Sequence, residues 1–157
     1  MKSKAFSLLL SIAICQAAGL IGSFFTAPAI PTWYATLQKP SFSPPNWLFA
    51  PVWISLYALM GIALFLIWQK GWQKKSVKQA LTIFGFQLGL NSLWSIIFFG
   101  FQSPFWALVE IIILWGLILL TIIKFKPLSK TASLLLVPYL LWTTFATILN
   151  FAIARLN

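Results

Sequence analysis

Five apolar runs divide this chain, and their lengths leave few folds open. Residues 5–26, 47–69, 79–101, 104–123 and 131–154 are each almost free of charge and bounded by proline or lysine. A helix rising 1.5 Å per residue needs roughly 20 apolar residues to cross a bilayer core of about 30 Å. The spacing therefore predicts an all-α membrane protein, a bundle of five transmembrane helices forming one domain over residues 1–157. The first run is too long for a signal peptide, and no small-residue cleavage site ends it.

Charge supports the same reading. The chain is 61% hydrophobic and 8% charged, with 11 Lys and Arg against a single acid, whereas soluble domains carry roughly 25% charged residues. The cations lie between the runs rather than along one face, which argues for membrane topology and against nucleic acid. Lys2, Lys4, Lys70, Lys74, Lys75, Lys78, Lys124, Lys126 and Lys130 fall on one side of a five-helix bundle; Lys39 and Arg155 fall on the other. The excess of positive charge on one side predicts a bacterial inner-membrane protein with its N-terminus in the cytoplasm. There is no histidine, one cysteine (Cys15) and one carboxylate side chain (Glu110). Paired-carboxylate and histidine-based catalysis are thus absent from the inventory, and no metal site is expected.

The longest connection has its own character. Pro31–Trp53 reads PTWYATLQKPSFSPPNWLFAPVW, with five prolines and three tryptophans but only one charge, Lys39. Disordered segments are poor in aromatics and rich in charge, so residues 27–46 are expected to form a structured lid between helices 1 and 2. Pro28 and Pro31 are expected to stop helix 1 near residue 26. Pro51 and Pro104 sit where a helix tolerates them, in its first turns, and Pro138 predicts a mild kink in helix 5.

Polar and bulky aromatic side chains inside a bundle call for a reason. Helix 2 places Trp53, Tyr57, Met60 and Gly61 at helical spacing. Helix 3 places Gln87, Asn91 and Trp94, helix 4 Trp106, Glu110 and Ile113, and helix 5 Trp142, Phe145, Ala146, Leu149 and Asn150. With the lid they would enclose an aromatic-walled pocket suited to a flat, largely apolar ligand. The same pattern also suits packing or an interface belt, and Gln87, Asn91 and Asn150 also suit bonding between helices. Arg155 is a candidate partner for Glu110. Gly85 and Gly89 form a small-xxx-small pair on helix 3, a candidate homodimer seam; Gly19 and Gly22 suit packing within the bundle.

These residues resemble one family. Trp33-Tyr34-x-x-Leu37-x-Lys39-Pro40-Ser41-x-x-Pro44-Pro45, Pro51-Val52-Trp53-x-x-Leu56-Tyr57-x-x-Met60-Gly61, Gln87-Leu88-x-Leu90-Asn91-x-x-Trp94 and Trp106-Ala107-Leu108-Val109-Glu110 are similar to the translocator protein (TspO/MBR) family. So is Pro138-Tyr139-x-x-Trp142-x-x-Phe145-Ala146-Thr147-x-Leu149-Asn150. The resemblance implies a ligand pocket under the lid that binds porphyrins, above all protoporphyrin IX, and isoquinoline carboxamide or benzodiazepine-type ligands, with no obligatory cofactor. It places Trp33, Tyr34, Phe49, Ala50, Asn91, Trp94, Trp106, Ile113, Ala146 and Leu149 at or near that pocket. It also implies a homodimer through helix 3, in agreement with Gly85 and Gly89. Trp53 and Trp142 match the positions linked to light-dependent porphyrin breakdown, so a porphyrin-degrading enzyme stands beside a binding, sensing or scavenging protein. A transporter stands third, because no inverted repeat is evident. Phe151 replaces the tyrosine of the animal sterol motif, which puts sterol binding in doubt. Lys39 and Arg155 are candidate partners for porphyrin carboxylates at the outer rim.

Overall fold

The computed structural model describes residues 2–157. It is a bundle of five helical spans, each long and apolar enough to cross a membrane, and the chain is a multi-pass membrane protein. In lipid every backbone N–H and C=O must find its partner within the protein, which is why the apolar runs are helical throughout.

The first span is α1 (Lys2–Ala29), continued by a π-helical turn, Ile30–Tyr34. Here the structure corrects the expected stop near residue 26. Pro28 lies inside α1 and Pro31 inside the π turn. The wider turn absorbs the missing N–H groups, and the Thr32 hydroxyl donates to the Pro28 carbonyl at 2.8 Å. Adjustment to a wider turn is one way membrane helices tolerate proline. The non-helical part of the lid shrinks accordingly to about residues 37–45.

The second span opens with a 3-10 turn, Asn46–Leu48, and runs on as α2 (Phe49–Trp68). Gly71, at φ 111°, turns the chain in a region that favours glycine. The third span is α3 (Lys75–Ser95) plus a π turn, Ile96–Gly100, starting four residues earlier than its apolar run because Lys75 and Lys78 occupy the first turns. Gln102, at φ 53°, reverses the chain into α4 (Pro104–Phe125), where Pro104 opens the helix and the Ser103 hydroxyl accepts from the Trp106 N–H. The fifth span is interrupted for one residue: α5 (Lys130–Leu135) and α6 (Val137–Leu156) meet at Leu136, whose backbone stays in the helical region. Pro138 supplies no N–H to the turn before it, so the helix restarts there.

The helices pack in a ring: α1 beside α2, α2 beside α5, the α5–α6 span beside α4, α4 beside α3, and α3 back to α1. Lipid gives no hydrophobic drive between helices, so close van der Waals fit and hydrogen bonds hold the ring. Gly61 lets α2 rest directly on the backbone of Ile12 in α1. The Ser92 hydroxyl donates to the Ala18 carbonyl at 2.8 Å, tying α3 to α1, and the Ser133 hydroxyl donates to the Ile122 carbonyl at 3.1 Å, tying α5 to α4. The dense core sits in the lysine-bearing half, around Met60, Ala63, Ile67, Val77, Ala80 and Phe125, all fully buried. The other half, beneath the lid, is hollow.

Candidate functional site

That hollow is a cavity of about 430 Å³, within the usual range for small-molecule sites, roughly 300–1,000 Å³. Trp53 and Tyr57 of α2, Asn91 and Trp94 of α3, and Trp142, Phe145, Ala146 and Leu149 of α6 all line it, together with Phe49, Ala50 and Tyr34. The helical period alone aligned most of these side chains, and the ring of helices turns their faces inward.

The aromatic walls brace one another. Trp53 stacks on Tyr57 with centroids 5.5 Å apart and meets Tyr139 edge-on at 6.3 Å. Trp142 contacts Phe145 at 5.4 Å and Phe49 at 6.3 Å. Trp94 stacks on Phe98 at 5.0 Å. Contacts of this kind fix ring orientation and contribute about 0.5–1.5 kcal/mol each beyond area burial.

The floor is polar and mostly paired. The Tyr57 hydroxyl donates to Asn91 Oδ1, Asn91 Nδ2 donates to the Tyr139 hydroxyl oxygen at 2.7 Å, and the Tyr139 hydroxyl donates to Gln87 Oε1 at 2.8 Å. This chain crosses from α2 through α3 to α6 and holds three helices in register. Trp94 Nε1 donates to Asn150 Oδ1 at 3.0 Å, and Asn150 Nδ2 donates to the Pro104 carbonyl at 2.8 Å. Asn91 and Asn150 thus bond neighbouring helices and line the cavity at once. Trp142 differs: its indole N–H is buried and has no partner among the described residues.

The lid closes the outer end. Phe42 packs edge-on against Phe145 at 6.3 Å. The Asn157 side chain pairs with Gln38 in both directions, accepting from its N–H at 3.0 Å and donating to its carbonyl at 2.8 Å. Lys39 lies 4.6 Å above the centroid of the Tyr34 ring and donates to the Leu37 carbonyl at 3.2 Å.

Four expected pocket residues stand elsewhere. Trp33 packs behind the wall, edge-on to Phe98 at 5.6 Å. Trp106 and Ile113 of α4 point outward, 62% and 55% exposed. The inward stripe of α4 is Ala107, Ile111, Leu114 and Ile118, and 3.6 residues per turn carries Trp106 and Ile113 about a third of a turn away from it. Glu110 is buried in the bundle, outside the cavity lining, and neither of its oxygens finds a partner among the described residues. The expected Arg155 pairing does not form; Arg155 lies 5.9 Å from the Phe151 ring instead. Neither Lys39 nor Arg155 lines the cavity.

The contribution of α1 is the part that sequence reasoning missed. Gln16, Gly19, Gly22, Ser23, Thr26 and Ile30 all line the cavity. A signal was present: Gln16, Gly19 and Ser23 set small or polar side chains at helical spacing in an otherwise apolar run. Gly19 does serve packing, since a Cβ there would strike the Tyr57 ring.

The comparisons agree with this geometry. The TspO/MBR family profile matches residues 11–156. The chain is 48% identical over 157 residues to the tryptophan-rich protein TspO of Chlorobaculum tepidum, covering 100% of this chain and 99% of that one. It is 53% identical over 151 residues to the protein of the same name from Archaeoglobus fulgidus, 96% of each chain. It is 40% identical over 139 residues to the translocator protein of Homo sapiens, 87% of this chain and 82% of that one.

Proposed function

Because the chain belongs to the TspO/MBR family, with a general membrane sensing and binding role, we propose that its cavity binds a planar tetrapyrrole, protoporphyrin IX or a close relative, as a sensor or scavenger. The observation that carries this reading is the aromatic box itself. Trp53, Trp94, Trp142, Phe49 and Phe145 line one space, with Asn91, Tyr57 and Asn150 supplying polar groups among them. Isoquinoline carboxamide and benzodiazepine-type ligands share that shape and belong to the same reading.

The test is a titration of detergent-purified protein with protoporphyrin IX in the dark, read by tryptophan fluorescence. Saturable quenching is expected. Trp53→Ala should weaken binding by about 10–100-fold, because removing a buried aromatic forfeits roughly 1.5–3 kcal/mol. Quenching that never saturates, or that ignores Trp53, would end the proposal.

That Trp53 and Trp142 both line the cavity favours a second reading, light- and oxygen-dependent porphyrin breakdown. The porphyrin would supply light absorption and reactivity toward oxygen. The chain would confine it and hold two oxidisable indoles against it. Illuminating the titrated samples separates the two readings: a discrete product in the wild type that Trp142→Phe abolishes without abolishing binding supports turnover, and equal bleaching in both supports binding alone.

The same proposal covers assembly and placement. Gly85 and Gly89 face outward, and a Cβ on either would meet nothing within 4 Å, so α3 offers a smooth seam to a second copy. The lysines at one end of the bundle favour a bacterial inner membrane with the N-terminus in the cytoplasm and the lid outside.

A further inference from the structure

The cavity reaches the outer surface of the bundle on one side only. Among its lining residues the exposed ones are Leu20, Ser23 and Ala27 of α1 and Asn46, Ala50 and Ile54 at the start of the second span. Those contributed by α3 and α6 are buried or half-buried. The opening therefore follows the seam between α1 and α2, at a depth where these helices face acyl chains.

The seam has a tight half and a loose half. Toward the lysine-bearing end, Gly61 brings α2 onto the backbone of Ile12. One step further along, Gln16 Nε2 donates across the seam to the Ile54 carbonyl at 3.0 Å. Beyond Gln16, Gly19 rests on the Tyr57 ring, and the exposed cavity-lining residues of α1 there include the small Ser23 and Ala27, which leave the seam open. The lid, by contrast, is shut by the paired Gln38–Asn157 contacts and by Phe42 on Phe145. Among the described residues no charged side chain lines the cavity, so none of them compensates an ion brought in from water, and an uncharged, bilayer-dissolved ligand meets no such cost.

Resting on the tetrapyrrole reading, we propose that the α1–α2 seam is a lateral portal: the ligand enters from the bilayer between Ser23 and Ile54 rather than from water beneath the lid. Gln16 marks the inner end of the portal. Ser23 and Ile54 set its width.

The test uses full-length protein in phosphatidylcholine vesicles and protoporphyrin IX dimethyl ester, an uncharged porphyrin that resides in the bilayer. Stopped-flow tryptophan quenching reads the association rate. Ser23→Trp is expected to slow association on the order of tenfold, equivalent to about 1.4 kcal/mol of barrier, and Ile54→Ala to speed it. Opposite shifts from these two changes are not what general disruption gives. Ile123→Trp, on the outward face of α4, is the control and should leave the rate alone. An Asn157→Ala variant that loads faster while Ser23→Trp loads normally would place entry under the lid and overturn the portal. Absence of saturable quenching in the wild type would overturn the tetrapyrrole reading and the portal with it; saturation with rates indifferent to Ser23 and Ile54 would overturn the portal alone.

Discussion

Gly61→Val should cost the protein most of its thermal stability margin. A Cβ at Gly61 falls on the backbone of Ile12, and backbone cannot rotate aside as a side chain does. The surroundings offer no slack, since Met60, Cys15 and Ala63 are fully buried. Overpacking a well-filled core costs about 1–3 kcal/mol, occasionally more. A collision with backbone belongs at the upper end. For a chain of this size, 3 kcal/mol lowers Tm by roughly 6–12 °C. Thermal unfolding in detergent, followed by light scattering or circular dichroism, reads the effect. Gly116→Val provides the contrast: nothing lies within 4 Å of its Cβ, and its Tm should stay within a few degrees of wild type. Equal melting of Gly61→Val and wild type would mean that α1 and α2 do not meet at this point.

Asn91→Leu should cut both stability and ligand affinity, for a different reason. Asn91 is the middle of the chain running from Tyr57 to Tyr139. A leucine keeps the volume but leaves the Tyr57 hydroxyl without its acceptor and the Tyr139 oxygen without its donor. Stranding a buried polar group costs about 1–3 kcal/mol in soluble proteins, and interhelical bonds in membranes contribute less, averaging about 0.6 kcal/mol. The expected loss is therefore about 1–4 kcal/mol. The sharper measurement is a double-mutant cycle with Tyr57→Phe. If Asn91→Leu destabilises by orphaning the Tyr57 hydroxyl, removing that hydroxyl restores part of the loss, and the two changes are non-additive. Strict additivity would show that the chain of bonds carries no coupling.

Both predictions rest on contacts between helices, which is where the sequence was least informative. The lid stretch shows the problem from another side. Pro28 and Pro31 read as a stop, yet the helix continues through a π turn, Ile30–Tyr34, in which the ladder widens around Pro31. Local rules describe what proline removes; the neighbouring turns decide whether the loss is made good. In the fifth span Pro138 interrupts the ladder for one residue, Leu136, and the helix carries on to Leu156.

The site divides along the same line. The inward faces of α2, α3 and α6 were legible because Trp53–Tyr57, Asn91–Trp94 and Trp142–Phe145–Ala146–Leu149 repeat at the helical period, and a face that concentrates aromatic and amide groups turns away from lipid. Trp106 and Ile113 carried the same residue types on α4 and still point outward. Glu110 is buried without joining the cavity. Periodicity says which residues share a face, not which way the face turns.

The number of spans and the all-helical class follow from composition and length, because hydrocarbon admits only apolar side chains and backbone that satisfies its own hydrogen bonds. Those constraints act on each segment separately, so a linear reading suffices. The rotation of α4 and the cavity that opens at the α1–α2 seam depend on how closely surfaces from distant parts of the chain approach. Gly61 against Ile12 is one such approach, and neither residue announces the other in the sequence. Packing is a property of pairs of helices, and only their assembled arrangement decides it.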